Sequence, residues 1–247
     1  MRLCPKKIGG GEPAAFALPF SRSHEGARKT VAEPQNTIPP HASSALEHWE
    51  QVYRTRQSTD VSWYRPHLER SLAYIEAAAP NHNSHIFDVG GGASTLVDDL
   101  LARGYRHLLV LDLSQAALET ARGRLGEAAQ DVVWLQGDVR TVALEPQSAE
   151  VWHDRAVFHF LTDEADRAAY VRQVVRTLKP GGHLIVATFA LDGPARCSGL
   201  PVARYDADGL QQEFGGAFQR EAHATDAHAT PGGNVQPFVY CHFKRVD

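Results

Sequence analysis

Short continuous apolar runs alternate along this chain with stretches whose apolar residues recur every three or four positions. Runs of the first kind predict strands buried on both faces, and stretches of the second predict helices laid against them. Strands are expected at residues 85–89, 108–111, 132–135, 151–153 and 183–189. The helices between them carry Leu96, Leu100 and Leu101, then Leu118, Ala121 and Leu125 behind a Ser114 cap. The last carries Ala168, Val171, Val175 and Leu178, with Thr162 as cap and Asp163 and Glu164 in its first turn. Lys179-Pro180-Gly181-Gly182 breaks that helix and leads into the fifth strand.

Two helices precede this alternation. One begins at Ser43 or Ser44 and aligns Leu46, Trp49, Val52 and Tyr53 on the face that packs on the domain; the other spans residues 68–79 and stops at Pro80. After a long loop over 190–205 come a helix at 206–214 and two β-like runs, 217–223 and 236–244. Their Gly/Pro-bearing connection is too short for a crossover helix, so they read as an antiparallel pair. The expected fold is α/β: a doubly wound, seven-stranded, mostly parallel sheet with an antiparallel C-terminal hairpin.

Composition divides the chain at about residue 41. Residues 1–41 hold six of the fourteen prolines and no sustained period, so a disordered tail is expected there and one folded domain over 42–247. A net charge of -4 gives no basic footprint for nucleic acid. Cys4, Cys197 and Cys241 are too scattered for a disulfide framework, which suits a cytoplasmic protein. No apolar run is long enough to span a bilayer, so no membrane partner is expected. His223, His228 and His242 lack cysteine or carboxylate spacing, and no metal centre is expected.

The first strand ends in Asp88-Val89-Gly90-Gly91-Gly92, and a helix follows Ser94 and Thr95. So bare a backbone, leading to a helix N-terminus, suits close approach by a nucleotide-type cofactor. A dinucleotide fingerprint would place a third small residue where Thr95 stands, and no Gly-Lys-Ser/Thr phosphate loop is present. What remains is Asp88-x-Gly90-x-Gly92, an acid (Asp112) closing the second strand, Asp138 after the third, and the Lys-Pro-Gly-Gly turn.

That ordered set closely resembles the class I S-adenosylmethionine-dependent methyltransferases, over roughly residues 45–247. The resemblance implies a Rossmann-like sheet and S-adenosyl-L-methionine as cofactor. It implies that Asp88, Gly90, Gly91, Gly92 and Ser94 lie against the methionine part. Asp112 would hold the ribose, and Leu113, Asp138 and Val139 the adenine. The segment His153-Asp154-Arg155-Ala156 would face the methyl group, and Trp49 and Tyr53 would cap the cofactor.

Methyl transfer needs alignment and exclusion of water more than it needs a base. For an acceptor that must lose a proton, His153, Asp154 and His159 are the catalytic candidates, Asp154 also as a cofactor contact. Trp63, Tyr64, Arg196, Cys197 and Tyr205 are the candidate substrate contacts. The favoured reading is methyl transfer to a small-molecule nucleophile, a thiol among the options. A protein-lysine acceptor is the nearest rival within the class; outside it stand an NAD-dependent oxidoreductase and a non-catalytic cofactor-binding module. Removing residues 1–41 is expected to leave S-adenosylhomocysteine binding intact by calorimetry, and a large loss of affinity would contradict the tail assignment.

Overall fold

The computed structural model describes residues 40–246. All of the 1–41 tail except Pro40 and His41 therefore lies outside the described residues. Helix α1 runs Pro40–Thr55, starting before the expected serine caps. Proline suits a first helical turn, where its missing N–H has no partner to lose. Helix α2 spans Glu69–Ala78. The alternating part follows as β1 His85–Val89, α3 Leu96–Ala102, β2 His107–Asp112, α4 Gln115–Leu125 and β3 Val132–Gln136. It continues as β4 Ala149–Arg155, α5 Glu164–Thr177 and β5 Leu178–Phe189. Helix α6 Ala207–Phe214 and the long strands β6 Phe218–Ala229 and β7 Val235–Arg245 complete the chain.

Seven strands form one sheet in the order β3-β2-β1-β4-β5-β7-β6. Strands β1 to β5 are parallel, while β7 pairs antiparallel with both β5 and β6. The order reverses direction between β1 and β4, and a crevice at the carboxyl ends of those strands is where open α/β sheets take ligands.

Alternation along the strands sorts side chains into two cores. Ile86, Leu108, Val110, Val151 and Ile185 pack with Leu72, Ile75, Leu96 and Leu118 on one face. Phe87, Val89, Trp152, Leu184 and Val186 pack with Tyr170, Leu210 and Phe214 on the other. None of the helices is long and apolar enough to cross a membrane, among the described residues.

Beyond the start of α1, other features also differ from the sequence expectation, among them β6, which runs on to Ala229. Strand β5 begins at Leu178, because Leu178 pairs with Ala149 before the Lys-Pro-Gly-Gly segment shifts the register. The cap of α5 is Asp163, not Thr162. The loop over 190–205 carries a small ribbon, Arg196–Cys197 against Leu200–Pro201, and is tied back by an Ala190–Tyr205 bridge.

Strand β4 is less apolar than its neighbours in sequence yet wholly internal, with Trp152, His153 and Asp154 at 1% exposure or less. The buried polar side chains of His153 and Asp154 are satisfied, which is what burial demands. His153 lies 2.8 Å from Asp88 Oδ1 through Nδ1 and 2.8 Å from Ser71 Oγ through Nε2. The Asp154 carboxylate accepts Val157 N–H at 2.9 Å, Phe158 N–H at 3.1 Å and the Tyr170 hydroxyl at 2.5 Å; Tyr170 in turn accepts Trp152 Nε1–H at 2.9 Å. Asp154 thus fastens the turn after β4 to α5. Replacing it with alanine strands those donors in a dry site and is expected to cost on the order of 2–4 kcal/mol. Thermal denaturation should then show a Tm lower by roughly 5–15 °C, and an unchanged Tm with lost activity would contradict this structural assignment.

Candidate active site at the carboxyl ends of β1, β2 and β4

The glycine segment after β1 is shaped by contacts that leave no room for side chains. Gly90 and Gly92 adopt positive φ of 67° and 47°. A Cβ on Gly90 would stand 1.9 Å from Val157 Cγ2, and one on Gly91 2.4 Å from Asp88 Oδ2. At Gly92 it would meet Asp112 Oδ2 at 2.9 Å and the Tyr53 hydroxyl at 3.0 Å. Gly90 N–H donates to Leu111 O, and Ser94 Oγ accepts Leu96 N–H as α3 starts. The His153–Asp88 pair holds this loop from below, with Asp88 Oδ2 left buried and without a hydrogen-bond partner among the described residues.

Two cavities meet over the loop. The larger, about 250 Å³, has Asp112, Leu113, Asp138 and Val139 at one end and Trp49, Trp63, Phe160 and Cys197 among its other walls. The smaller, about 50 Å³, is bounded by Gly91, Ser94, Tyr64, Arg65, Asp88 and His153 among others. Tyr53, Trp63, Gly90 and Arg155 border both.

Helix α1 covers the larger cavity because Ala45, Trp49 and Tyr53 recur every four residues on one face. Trp49 packs edge-on against Trp63 and Phe160, with ring centroids at 5.6 and 5.1 Å. Two polar contacts hold the helix: the Glu50 carboxylate accepts Gln115 and Ala116 N–H at the start of α4, and His48 Nε2 lies 3.2 Å from Ser198 Oγ.

The charges in the site are tuned by burial. Burial lifts the Asp112 carboxyl to about 7, the neighbouring Asp88 and Glu50 push the same way, and the N–H groups of Ser114 and Leu113 oppose them. Asp138 lines the cavity but accepts a fork from Arg140 at 2.5–3.1 Å, and Arg140 also pairs with Asp166. Arg155 donates to Tyr240 Oη and Trp63 O and lies 4.6 Å from the Phe238 ring centre. Its Nη2 is buried with no hydrogen-bond partner among the described residues.

Most of the residues expected from the sequence come together here: Asp88, Gly90, Gly91, Ser94, Asp112, Leu113, Asp138, Val139, Trp63, Tyr64, His153 and Cys197 border one cavity or the other. Gly92 stands directly behind, against Asp112 and Tyr53.

Four expectations take a different place. Asp154 borders neither cavity, its carboxylate being committed to the turn and Tyr170. His159 is fully buried beside Phe189, and burial, then the Arg155 charge, pushes it down to about 3, too weak a base for neutral pH. Arg196 is exposed and bonds to Gly199 O, while Tyr205 packs on Phe158 and reaches Glu213. Cys197 does face the cavity, but burial lifts its thiol to about 12 and keeps it protonated. Arg155 borders both cavities, as expected of the segment after β4, while Arg140 carries no sequence motif and is brought to the site by the fold.

The arrangement suits an S-adenosyl cofactor. Asp112 presents a carboxylate where a ribose diol would donate, the bare loop leaves space beside it, and Trp49, Trp63 and Phe160 line the same cavity. The methyltransferase-domain family matches residues 86–182 of this chain. An eEF1A lysine and N-terminal methyltransferase of Danio rerio is 27% identical over 60% of this chain and 21% of its own length. A ubiquinone biosynthesis O-methyltransferase of Marinobacter nauticus is 26% identical over 62% of each. The chain thus spans less than two thirds of these relatives. Among solved structures, a Burkholderia thailandensis 1,6-didemethyltoxoflavin-N1-methyltransferase with bound S-adenosylhomocysteine superposes with a TM-score of 0.61, at 16% identity over 85% of this chain and 92% of that one. The domain match runs from β1 into β5, the segment that builds the glycine loop and its acids, and together with these relatives it supports a class I S-adenosylmethionine-dependent methyltransferase.

Proposed function

We propose that this protein transfers the methyl group of S-adenosylmethionine to a small acidic nucleophile, such as a thiol. When bound, the sulfonium cofactor supplies an electrophilic methyl for in-line displacement. The observation that carries the acceptor class is Arg155, whose side chain borders the cavity lined by Trp49, Trp63 and Phe160 and whose Nη2 is buried without a hydrogen-bond partner among the described residues.

Several residues divide the work. Asp112 would accept the ribose hydroxyls, Leu113 and Val139 would contact the base, and the glycine loop with Ser94 would hold the amino-acid end. Trp49, Trp63 and Phe160 exclude water from the reacting centre, which strengthens the electrostatics inside it. Burial holds the Tyr53 hydroxyl and the Cys197 thiol in their protonated forms, so neither takes a proton at neutral pH. The cavity therefore favours an acceptor that reaches it already ionised, with Arg155 pairing the anion.

The Danio rerio relative, by its name, acts on lysine, and aromatic rings also hold ammonium groups well. Against a lysine acceptor here, the guanidinium of Arg155 repels a cation, and Asp138 and Asp166 are already paired with Arg140.

A labelled-methyl screen over thiols, phenols, small carboxylic acids and a cell lysate decides between these readings. Transfer to a small acid is expected. Arg155→Met should raise the KM for that acceptor by roughly tenfold or more while S-adenosylhomocysteine affinity changes little. Label confined to a protein band would overturn the small-molecule reading. Loss of S-adenosylhomocysteine affinity in the variant, with the acceptor KM unchanged, would move Arg155 to the cofactor's carboxylate.

A further inference from the structure

A second cluster of chemistry-bearing side chains lies at the opposite end of the sheet. His183 opens the part of β5 that pairs with β7, His242 stands on β7 and Glu221 on β6, three adjacent strands. His183 Nδ1 and His242 Nε2 are 2.9 Å apart, and Glu221 Oε2 lies 3.7 Å from the first and 3.8 Å from the second. Those three distances define a triangle whose corners share a common point at about 2.0 Å, the usual length of a zinc–imidazole or zinc–carboxylate bond. Without an ion at that point, two imidazoles are brought to hydrogen-bond distance of each other with a carboxylate facing both.

The local backbone contributes to this convergence. The β6–β7 register shifts between Arg220 and Ala222, so Glu221 is the extra residue of a β-bulge and two β6 residues stand opposite His242. Bulges bend a strand and re-aim a side chain, and they recur beside functional sites. Tyr74 of α2 packs against the His242 ring at 5.6 Å and fixes its orientation. Burial favours the neutral form of both histidines, which is the form that ligates; the charge opposing a cation nearby is Lys244, paired with His183 across the ladder. Glu221 is 38% exposed along its side chain, which opens the fourth coordination position to water. No metal-ligand spacing marks the site in the sequence, because the three ligands come from three strands brought together only by the sheet.

We propose that His183, His242 and Glu221 form a binding site for a divalent transition-metal ion of the zinc type, coordinated by Nδ1, Nε2 and Oε2 with water as fourth ligand. Six residues of strand separate His183 from Phe189, roughly 20 Å, so the ion is remote from methyl transfer. It staples the β6–β7 hairpin to β5. Imidazole and carboxylate donors select zinc, cobalt or nickel over magnesium.

The test uses the full chain without an affinity tag, stripped with a chelator and titrated with zinc chloride, magnesium chloride and cobalt chloride. One zinc per chain, a higher Tm with zinc but not with magnesium, and the visible absorption of tetrahedral cobalt are expected. His242→Gln should weaken zinc binding by more than roughly a hundredfold and Glu221→Gln by about tenfold. The half-exposed Glu221 variant should keep its fold and its S-adenosylhomocysteine affinity. Absence of stoichiometric zinc binding in the parent chain would overturn the site. So would binding that is unchanged in Glu221→Gln and His242→Gln, since other histidines would then hold the ion.

Discussion

The glycine segment between β1 and α3 is pressed so closely against its surroundings that its backbone has one place to be, and the site is arranged around that constraint. Val157 closes on Gly90, the Asp88 carboxylate on Gly91, and Asp112 with Tyr53 on Gly92. Each of these neighbours belongs to a different element, so fixing three glycines also fixes the ends of β1, β2 and β4 and the face of α1. The buried Ser71–His153–Asp88 chain holds the loop from inside the sheet, and Asp154 with Tyr170 holds the turn that carries Val157. Positive φ at Gly90 and Gly92 excludes other residues on backbone grounds as well.

From that constraint the division of the site follows. A bare loop next to a raised carboxylate makes a cradle for a polyhydroxylated cofactor, and α1, clamped by Glu50 at the start of α4, closes an aromatic compartment beside it. On the proposed reading, chemistry is left to the cofactor, and the protein contributes alignment, dryness and the Arg155 guanidinium, one of whose nitrogens has no hydrogen-bond partner among the described residues. The histidines and Asp154 that border the reacting region in sequence serve the scaffold in space.

Strand periodicity made the parallel sheet and its hairpin legible, and the spacing from Asp88 through Asp112 to Asp138 made the cradle legible, because these depend on local pattern and strand order. What the pattern could not convey was direction. Asp154 and His159 sit at a strand end and in the adjoining turn, as ligand contacts often do, yet one turns toward Tyr170 and the other into the core beside Phe189. Arg155 follows Asp154 and points the other way, an outcome set by strand alternation and by Tyr240 and Trp63, which lie far off in sequence. Strand β4 was hard to read for a related reason: its polar residues are buried because their partners come from α2, β1 and α5.

Calorimetry of S-adenosylhomocysteine between pH 8 and pH 6 tests the cradle most directly. An Asp112 carboxyl raised to about 7 accepts ribose hydroxyls only when ionised, so protonation competes with binding as the pH falls. Affinity should drop about tenfold from pH 8 to pH 6, and Asp112→Asn should bind more weakly with little dependence on pH over that range. Binding of NAD in place of S-adenosylhomocysteine, or an Asp112→Asn variant that binds as tightly as the parent with the same pH profile, would contradict the account.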